Sequence, residues 1–241
     1  MILITRPQLE AEELKARLLK IKIYAHCDPL ISFHYDATWS NKQKTLDSNS
    51  VCLLTSIQAL YSIEKNYSLK DYFNDVKIVC IGERVSNYLR SRSAGNIIST
   101  FQDSDHLLEE LNFENLEENS FIYFCGNQYN EDFIEKIKLK TASFKSIVVY
   151  QVESANEFDV TTQEMIEQNT IKSVVLYSKF TANIFMDLLD KAGLSDTFLD
   201  KKFFCLSKKI ATVIESRNFK NVYFSPSPDE QSMINVIKKS L

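Results

Sequence analysis

FIYFCGNQYNEDFIEKIK, residues 121–138, opens as an apolar run, stops at Cys125-Gly126-Asn127 and continues as a helical pattern. The run FIYFC shows no polar alternation, which marks a strand buried on both faces and hence a parallel sheet. EDFIEKIKLK then places apolar residues at helical spacing. The stretch reads as a strand entering a helix through one glycine, the unit from which α/β folds are built. Such a turn presents free N–H groups at a helix start, where an anion can sit.

The same unit recurs along the chain. Strands are predicted at 2–5, 21–25, 51–56, 77–82, 96–99, 121–126, 146–152, 173–178, 203–207 and 221–225. Helical patterns fill most gaps, among them LEAEELKARLL (9–19), FTANIFMDLLDKAG (180–193) and DEQSMINVIKKSL (229–241). Pro7 stands near the first helix start, where a missing N–H costs nothing. All four glycines serve as punctuation: Gly95 and Gly193 are expected to end helices, Gly82 and Gly126 to end strands and open helices. The fold class is α/β.

Distant pieces match one another. KIVCIGERVSNYLRSRSAGNI (77–97) aligns with KFFCLSKKIATVIESRNFKNV (202–222), and VCLLTSIQALYSI (51–63) with SVVLYSKFTANIF (173–185). ILITRPQLEAEELKARLL (2–19) follows the pattern of 121–138. The order repeats, so the chain reads as two similar lobes with parallel sheets. Any parallel α/β chain resembles itself to a degree, and that plainer reading stands beside the duplication. DPLISFHYD (28–36) and SIVVYQVES (146–154) fall outside the repeat, where one lobe should hand over to the other. Paired, they would make a two-stranded antiparallel linker.

Composition narrows the function classes. A net charge of −4 gives no general attraction to nucleic acid or membrane. The N-terminus lacks the basic start and long apolar run of a signal peptide, and no apolar stretch is long enough to span a bilayer. A cytoplasmic protein is expected. Cys27, Cys52, Cys80, Cys125 and Cys205 show no metal or redox spacing and read as small buried apolar residues. His26, Cys27 and His34 fit no standard metal site.

Several residues together resemble the uroporphyrinogen-III synthase family. They are LITRP at the N-terminus, LLTS at 53–56, CIGE at 80–83, FCGN at 124–127, VVYQ at 148–151, LYS at 176–178 and SPSPDEQSMINVIKK at 225–239. No single motif is specific; their order and spacing carry the resemblance over nearly the whole chain. It implies a discontinuous lobe of 1–28 plus 156–241, an inserted lobe of 38–145, and linker strands at 29–37 and 146–155. It further implies a monomer acting on hydroxymethylbilane, a linear tetrapyrrole polycarboxylate, without metal or organic cofactor. The implied reaction closes the ring, inverts the last pyrrole and expels water, in heme biosynthesis.

A polycarboxylate suits helix N-termini gathered at the carboxyl ends of parallel strands. Six turns qualify: Thr5-Arg6, Thr55-Ser56, Gly82-Glu83, Gly126-Asn127, Ser178-Lys179 and Ser207-Lys208. They are expected to face a cleft between the lobes. Thr5, Arg6, Ser56, Gly82, Gly126, Asn127, Ser178, Lys179, Lys208 and Lys209 are the candidate substrate-binding residues. Each hydroxyl among them is also an ordinary N-cap candidate. Cations collected after strand ends of an acidic protein suggest local positive potential. Tyr150 matches the tyrosine of the family's VY motif, and the resemblance makes it the candidate general acid. Its other reading is a half-buried strand tyrosine.

The departures concern hydroxyls. Val85-Ser86 stands near the place where many family members carry Thr, and Ser207-Lys208-Lys209-Ile210 replaces a run often containing Gly with Pro or Thr. These changes fit altered carboxylate contacts and a decayed enzyme alike. A non-catalytic two-lobed binding module for an anionic small molecule would use the same turns. A flavodoxin-like regulatory domain ranks last, because the strand ends carry Thr, Ser, Gly and Lys in place of an acidic cluster.

Overall fold

The computed structural model describes residues 1–35, 39, 46 and 48–240. Residues 36–38, where the first linker strand was expected to give way to the inserted lobe, lie outside them. In chain order the elements are β1 (Ile2–Ile4), α1 (Gln8–Lys20), β2 (Ala25–Cys27), β3 (Ile31–His34), β4 (Ser50–Leu54), α2 (Ile57–Glu64), α3 (Leu69–Tyr72), β5 (Lys77–Ile81) and α4 (Glu83–Ser91). They continue with β6 (Asn96–Phe101), α5 (Ser104–Glu110), β7 (Ser120–Gly126), α6 (Glu131–Lys138), β8 (Ser143–Ser154), α7 (Val160–Glu167) and β9 (Ser173–Leu176). The chain ends with α8 (Lys179–Ala192), β10 (Lys202–Cys205), α9 (Lys208–Glu215), β11 (Val222–Phe224) and α10 (Glu230–Ser240).

The chain divides into two compact units, Met1–Ser32 with Glu153–Leu241, and Phe33–Val152. The first holds a sheet of order β11-β10-β9-β1-β2, parallel throughout. Its strands bury both faces, as their unbroken apolar runs predict. Leu3, Val174 and Phe203 face the core under α8 and α9. Ile2, Ile4, Val175 and Phe204 face Leu14 and Leu18 of α1 and Met233 and Ile237 of α10. Each such fully buried side chain contributes about 1.5–3 kcal/mol over its exposed state.

The second unit has the order β3-β8-β7-β4-β5-β6, with β8 through β6 parallel. Cys52, Leu54, Ile78 and Phe124 pack toward α2 and α4. Val51, Leu53, Val79 and Phe121 pack toward α5 and α6. The order β8-β7-β4-β5-β6 reproduces β2-β1-β9-β10-β11 strand for strand, the same correspondence as the sequence repeat. One lobe is the repeat read straight through; the other is assembled from both chain ends.

Three details differ from the sequence reading. The strand expected at 21–25 begins only at Ala25, because Ile21, Lys22 and Ile23 close the end of α1 onto Leu18 and Leu19, with Lys22 left-handed. Gly193 caps α8 in the left-handed conformation as expected; after α4 Ser93 takes that conformation first, and Gly95, also left-handed, follows two residues later against Ile78. Residues 146–152 are not separate from the sheet: β8 pairs in parallel with β7 through Tyr150, and β3 joins at its edge. No helix among the described residues is long and apolar enough to cross a membrane.

Candidate functional site at the carboxyl ends of the strands

In the second unit the sheet brings three of the predicted residues to one place. Tyr150 is buried, with 8% of its surface exposed. Its ring lies over Gly126, where a Cβ would come within 2.5 Å of Cε2 and 3.1 Å of the hydroxyl. Phe33 meets the ring edge-on, with centroids 5.8 Å apart. Burial pushes the phenol above its ordinary pKa, and hydrogen bonds from Ser56 and the Gly126 backbone pull it back. Ser56 caps α2 by accepting from the Gln58 N–H at 3.2 Å. Ser56, Gly126 and Tyr150 thus sit at the ends of β4, β7 and β8, with the phenol held protonated at neutral pH.

Gly126 and Asn127 do not open a helix. α6 starts at Glu131, and Asn130 caps it through the Phe133 N–H at 3.2 Å. Asn127 instead mimics a strand: its Oδ1 accepts from the Val152 N–H at 2.7 Å, its Nδ2 donates to the Val152 carbonyl at 3.4 Å, and its own N–H bonds Tyr150 O at 3.2 Å. The side-chain amide and the main-chain N–H of Asn127, the latter a candidate anion donor, both pin β7 to β8. Gly126, lacking a Cβ, leaves room for the Tyr150 ring.

On the other face of this sheet the strand ends line a pocket of about 300 Å³. Thr55 and Tyr123 share a hydroxyl contact at 3.1 Å in its wall, beside Gln102, Ser104 and Asn130. Burial pushes the Tyr123 phenol up to about 12. Nothing in the sequence singled out Tyr123, whose hydroxyl reads as one more aromatic in a strand.

In the first unit Thr5 departs from expectation. It is fully buried, and its hydroxyl donates to Val175 O at 3.1 Å, tying β1 to β9. Arg6 follows it but is not a bare cation: Nη1 donates to Glu230 Oε2 at 2.5 Å, and the guanidinium stacks 3.9 Å over the Tyr177 ring. Ser178 caps α8 by accepting from the Thr181 N–H at 3.0 Å. Lys179, Lys208 and Lys209 are exposed. Among the described residues none of the three has an ion-pair partner. β1, β9 and β10 are neighbours in the sheet, so Arg6 and these lysines share one edge.

The repeat extends to the helix starts. Ser56 and Ser178, at equivalent positions, both cap their helices through the side chain. Gly82 and Ser207, also equivalent, both begin helices with no side-chain cap. Gly82 has a φ of 86° and open space where a Cβ would stand. The first N–H groups of α4 and α9 lack a side-chain acceptor from their N-cap residues and suit a carboxylate. Among the described residues no group of three His, Cys, Asp or Glu side chains is arranged to hold a metal.

The sequence matches the uroporphyrinogen-III synthase HemD family over residues 12–235. The chain belongs to the uroporphyrinogen-III synthase family. Solved structures agree on the fold. A mutant uroporphyrinogen III synthase from Thermus thermophilus superposes with a TM-score of 0.66 at 10% identity, covering 99% of this chain and 97% of its own. The uroporphyrinogen-III synthetase of Helicobacter pylori gives 0.63 at 15% identity, covering 99% and 98%. No curated protein matches the chain in sequence.

Membership in the uroporphyrinogen-III synthase family makes this an enzyme of heme biosynthesis with a small tetrapyrrole substrate. The residues that sequence reasoning passed over, Tyr177 and Glu230, gain their place only through the partners they meet. Tyr177 aligns with Thr55 in the repeat, and that alignment was the one available signal for it.

Proposed function

We propose that the chain converts hydroxymethylbilane to uroporphyrinogen III as a cyclising hydro-lyase. The single observation that carries this reading is the seat of Tyr150 against Gly126 and Ser56 at the carboxyl ends of β8, β7 and β4. The pyrrole nitrogen lone pair expels the terminal hydroxyl, which takes the phenol proton of Tyr150 and leaves as water. The resulting cation is attacked by the substituted α-carbon of the last pyrrole, which forms a spiro centre. The bond from that carbon to the neighbouring methylene bridge then breaks, its electrons restore the aromatic ring, and the bridge carbon becomes a second cation stabilised by its own pyrrole nitrogen. The free α-carbon of the now inverted ring attacks that cation and loses its proton to the phenolate, so the sum is substrate less one water. A positioned acid of this kind contributes about 10²–10⁴-fold. Holding the chain in the conformation that leads to inversion is a proximity effect.

Carboxylate binding is assigned to Lys179, Lys208 and Lys209 and to the uncapped N–H groups following Gly82 and Ser207. The test is direct. Hydroxymethylbilane is supplied, the product oxidised, and type I and type III porphyrins separated. Predominant type III product is expected. Type I alone would overturn the catalytic reading and leave an anion-binding module.

A further inference from the structure

We propose that Glu230 is a positioning residue: with Arg17 and Tyr177 it presets the Arg6 guanidinium as a carboxylate receptor at the end of β1. The inference rests on the polycarboxylate substrate proposed above. Glu230 lies 224 residues from Arg6 in sequence, at the first position of α10. Its Oε2 accepts from Arg6 Nη1 at 2.5 Å, and its Oε1 accepts from Arg17 Nη1 at 2.5 Å. Arg17 Nη2 in turn donates to Gln231 Oε1 at 2.9 Å. The guanidinium of Arg6 is therefore held by Glu230 and has its central carbon 3.9 Å over the Tyr177 ring centre.

An arginine has five N–H donors. Nη1 is given to Glu230, and the Tyr177 hydroxyl draws on the guanidinium as well. The contacts with Glu230 and Tyr177 fix the guanidinium and leave further N–H groups, the kind that grip a carboxylate bidentately. Two guanidiniums against one carboxylate leave a net positive charge, so Glu230 steadies Arg6 without cancelling its attraction for an anion. A free arginine would lose its rotamer freedom on binding; this one has lost it on folding. The Arg6 side chain is 14% exposed and that of Glu230 23%, burial enough for the pair to hold its geometry in salt.

The experiment titrates uroporphyrin, an octacarboxylate, into the full chain by fluorescence, alongside steady-state turnover of hydroxymethylbilane. Glu230→Gln, Arg17→Gln and the double variant are compared. Each single variant is expected to raise Kd and KM roughly fivefold to tenfold through lost preorganisation, with kcat within about twofold. The double variant is expected to be no worse than Glu230→Gln, and Arg17→Lys to recover part of the affinity. Unchanged Kd in both single variants overturns the proposal. So do effects that multiply in the double variant, since Arg17 would then touch the ligand itself. Should Glu230→Gln fail to fold, Arg17→Gln carries the test, its side chain being 42% exposed. Wild-type protein that yields only type I product sinks the function, while the Kd series still decides the role of Glu230.

Discussion

The ring of Tyr150 rests on the α-carbon of Gly126, with no space between them for a methyl group. Gly126→Ala must therefore displace the phenol or the end of β7. Overpacking of this kind costs about 1–3 kcal/mol, which a domain survives. Turnover is expected to fall as in Tyr150→Phe, and the double variant to be no slower than the worse single one. Circular dichroism and isomer analysis of the product check this together. Full activity in folded Gly126→Ala would detach the ring's position from catalysis.

Tyr150→Phe is expected to lower kcat about 10²-fold or more while leaving the fold intact. The pH profile gives a second check. The proposed acid must keep its proton, so activity is expected to be lost as the Tyr150 phenol ionises. Burial raises its pKa, which moves that loss to the alkaline side of the ordinary value near 10. Ser56 lowers the pKa, so Ser56→Ala should move the alkaline limb further up. A limb that moves down in Ser56→Ala, or one retained in Tyr150→Phe, would assign the titration to another group.

The parts of this fold legible in sequence are those fixed by local pattern. Continuous apolar runs gave β1, β4, β5, β7 and β9, because a strand buried on both faces has no polar period to hide it. The Ser178 cap and the Gly193 stop are likewise local. What escaped is set by partners far along the chain. Thr5 looked like a strand-end hydroxyl until Val175 claimed it across the sheet. Asn127 looked like part of a helix start until Val152 took both ends of its amide. Arg6 looked like a free cation, since nothing near it in sequence announces Glu230. Donor and acceptor types are written in the sequence; which of them are already spent depends on tertiary pairing.

Asn127→Ala follows from that correction. It removes the side-chain bonds to Val152 and leaves a strand N–H and carbonyl facing the gap. A loss of about 1–2 kcal/mol in stability is expected, at the ordinary scale of net hydrogen bonds. KM should stay within about twofold, because both ends of this amide are taken by Val152. Denaturant melts and kinetics on the same preparation separate the outcomes. A large rise in KM with unchanged stability would restore Asn127 to the ligand.

The lysines offer a contrast. Lys179, Lys208 and Lys209 are exposed, so each is worth little to stability and its contribution to binding is open to salt screening. Lys208→Ala and Lys179→Ala are each expected to raise KM about twofold to tenfold at low salt, and the difference from wild type should shrink at high salt. Melting temperatures should not move. A KM penalty independent of ionic strength would point to a desolvated contact in place of a surface charge.

Asp28 provides a pH-dependent prediction away from the reaction. It is 5% exposed at the end of β2, and burial raises its pKa from the ordinary 3.8. The Thr162 hydroxyl and the Asp159 N–H, which Oδ2 accepts at 3.1 Å, oppose the rise, as does His26; the Asp159 carboxylate adds to it. A raised folded-state pKa means that folding favours the protonated acid. Its contribution is full below the unfolded value and is lost as pH climbs through the folded value. Asp28→Asn keeps an oxygen for the Asp159 N–H but cannot ionise. The melting temperature of Asp28→Asn minus that of wild type should therefore grow between about pH 4 and pH 7. If it shrinks instead, His26 and Thr162 outweigh burial and the ionised form is the one the fold prefers.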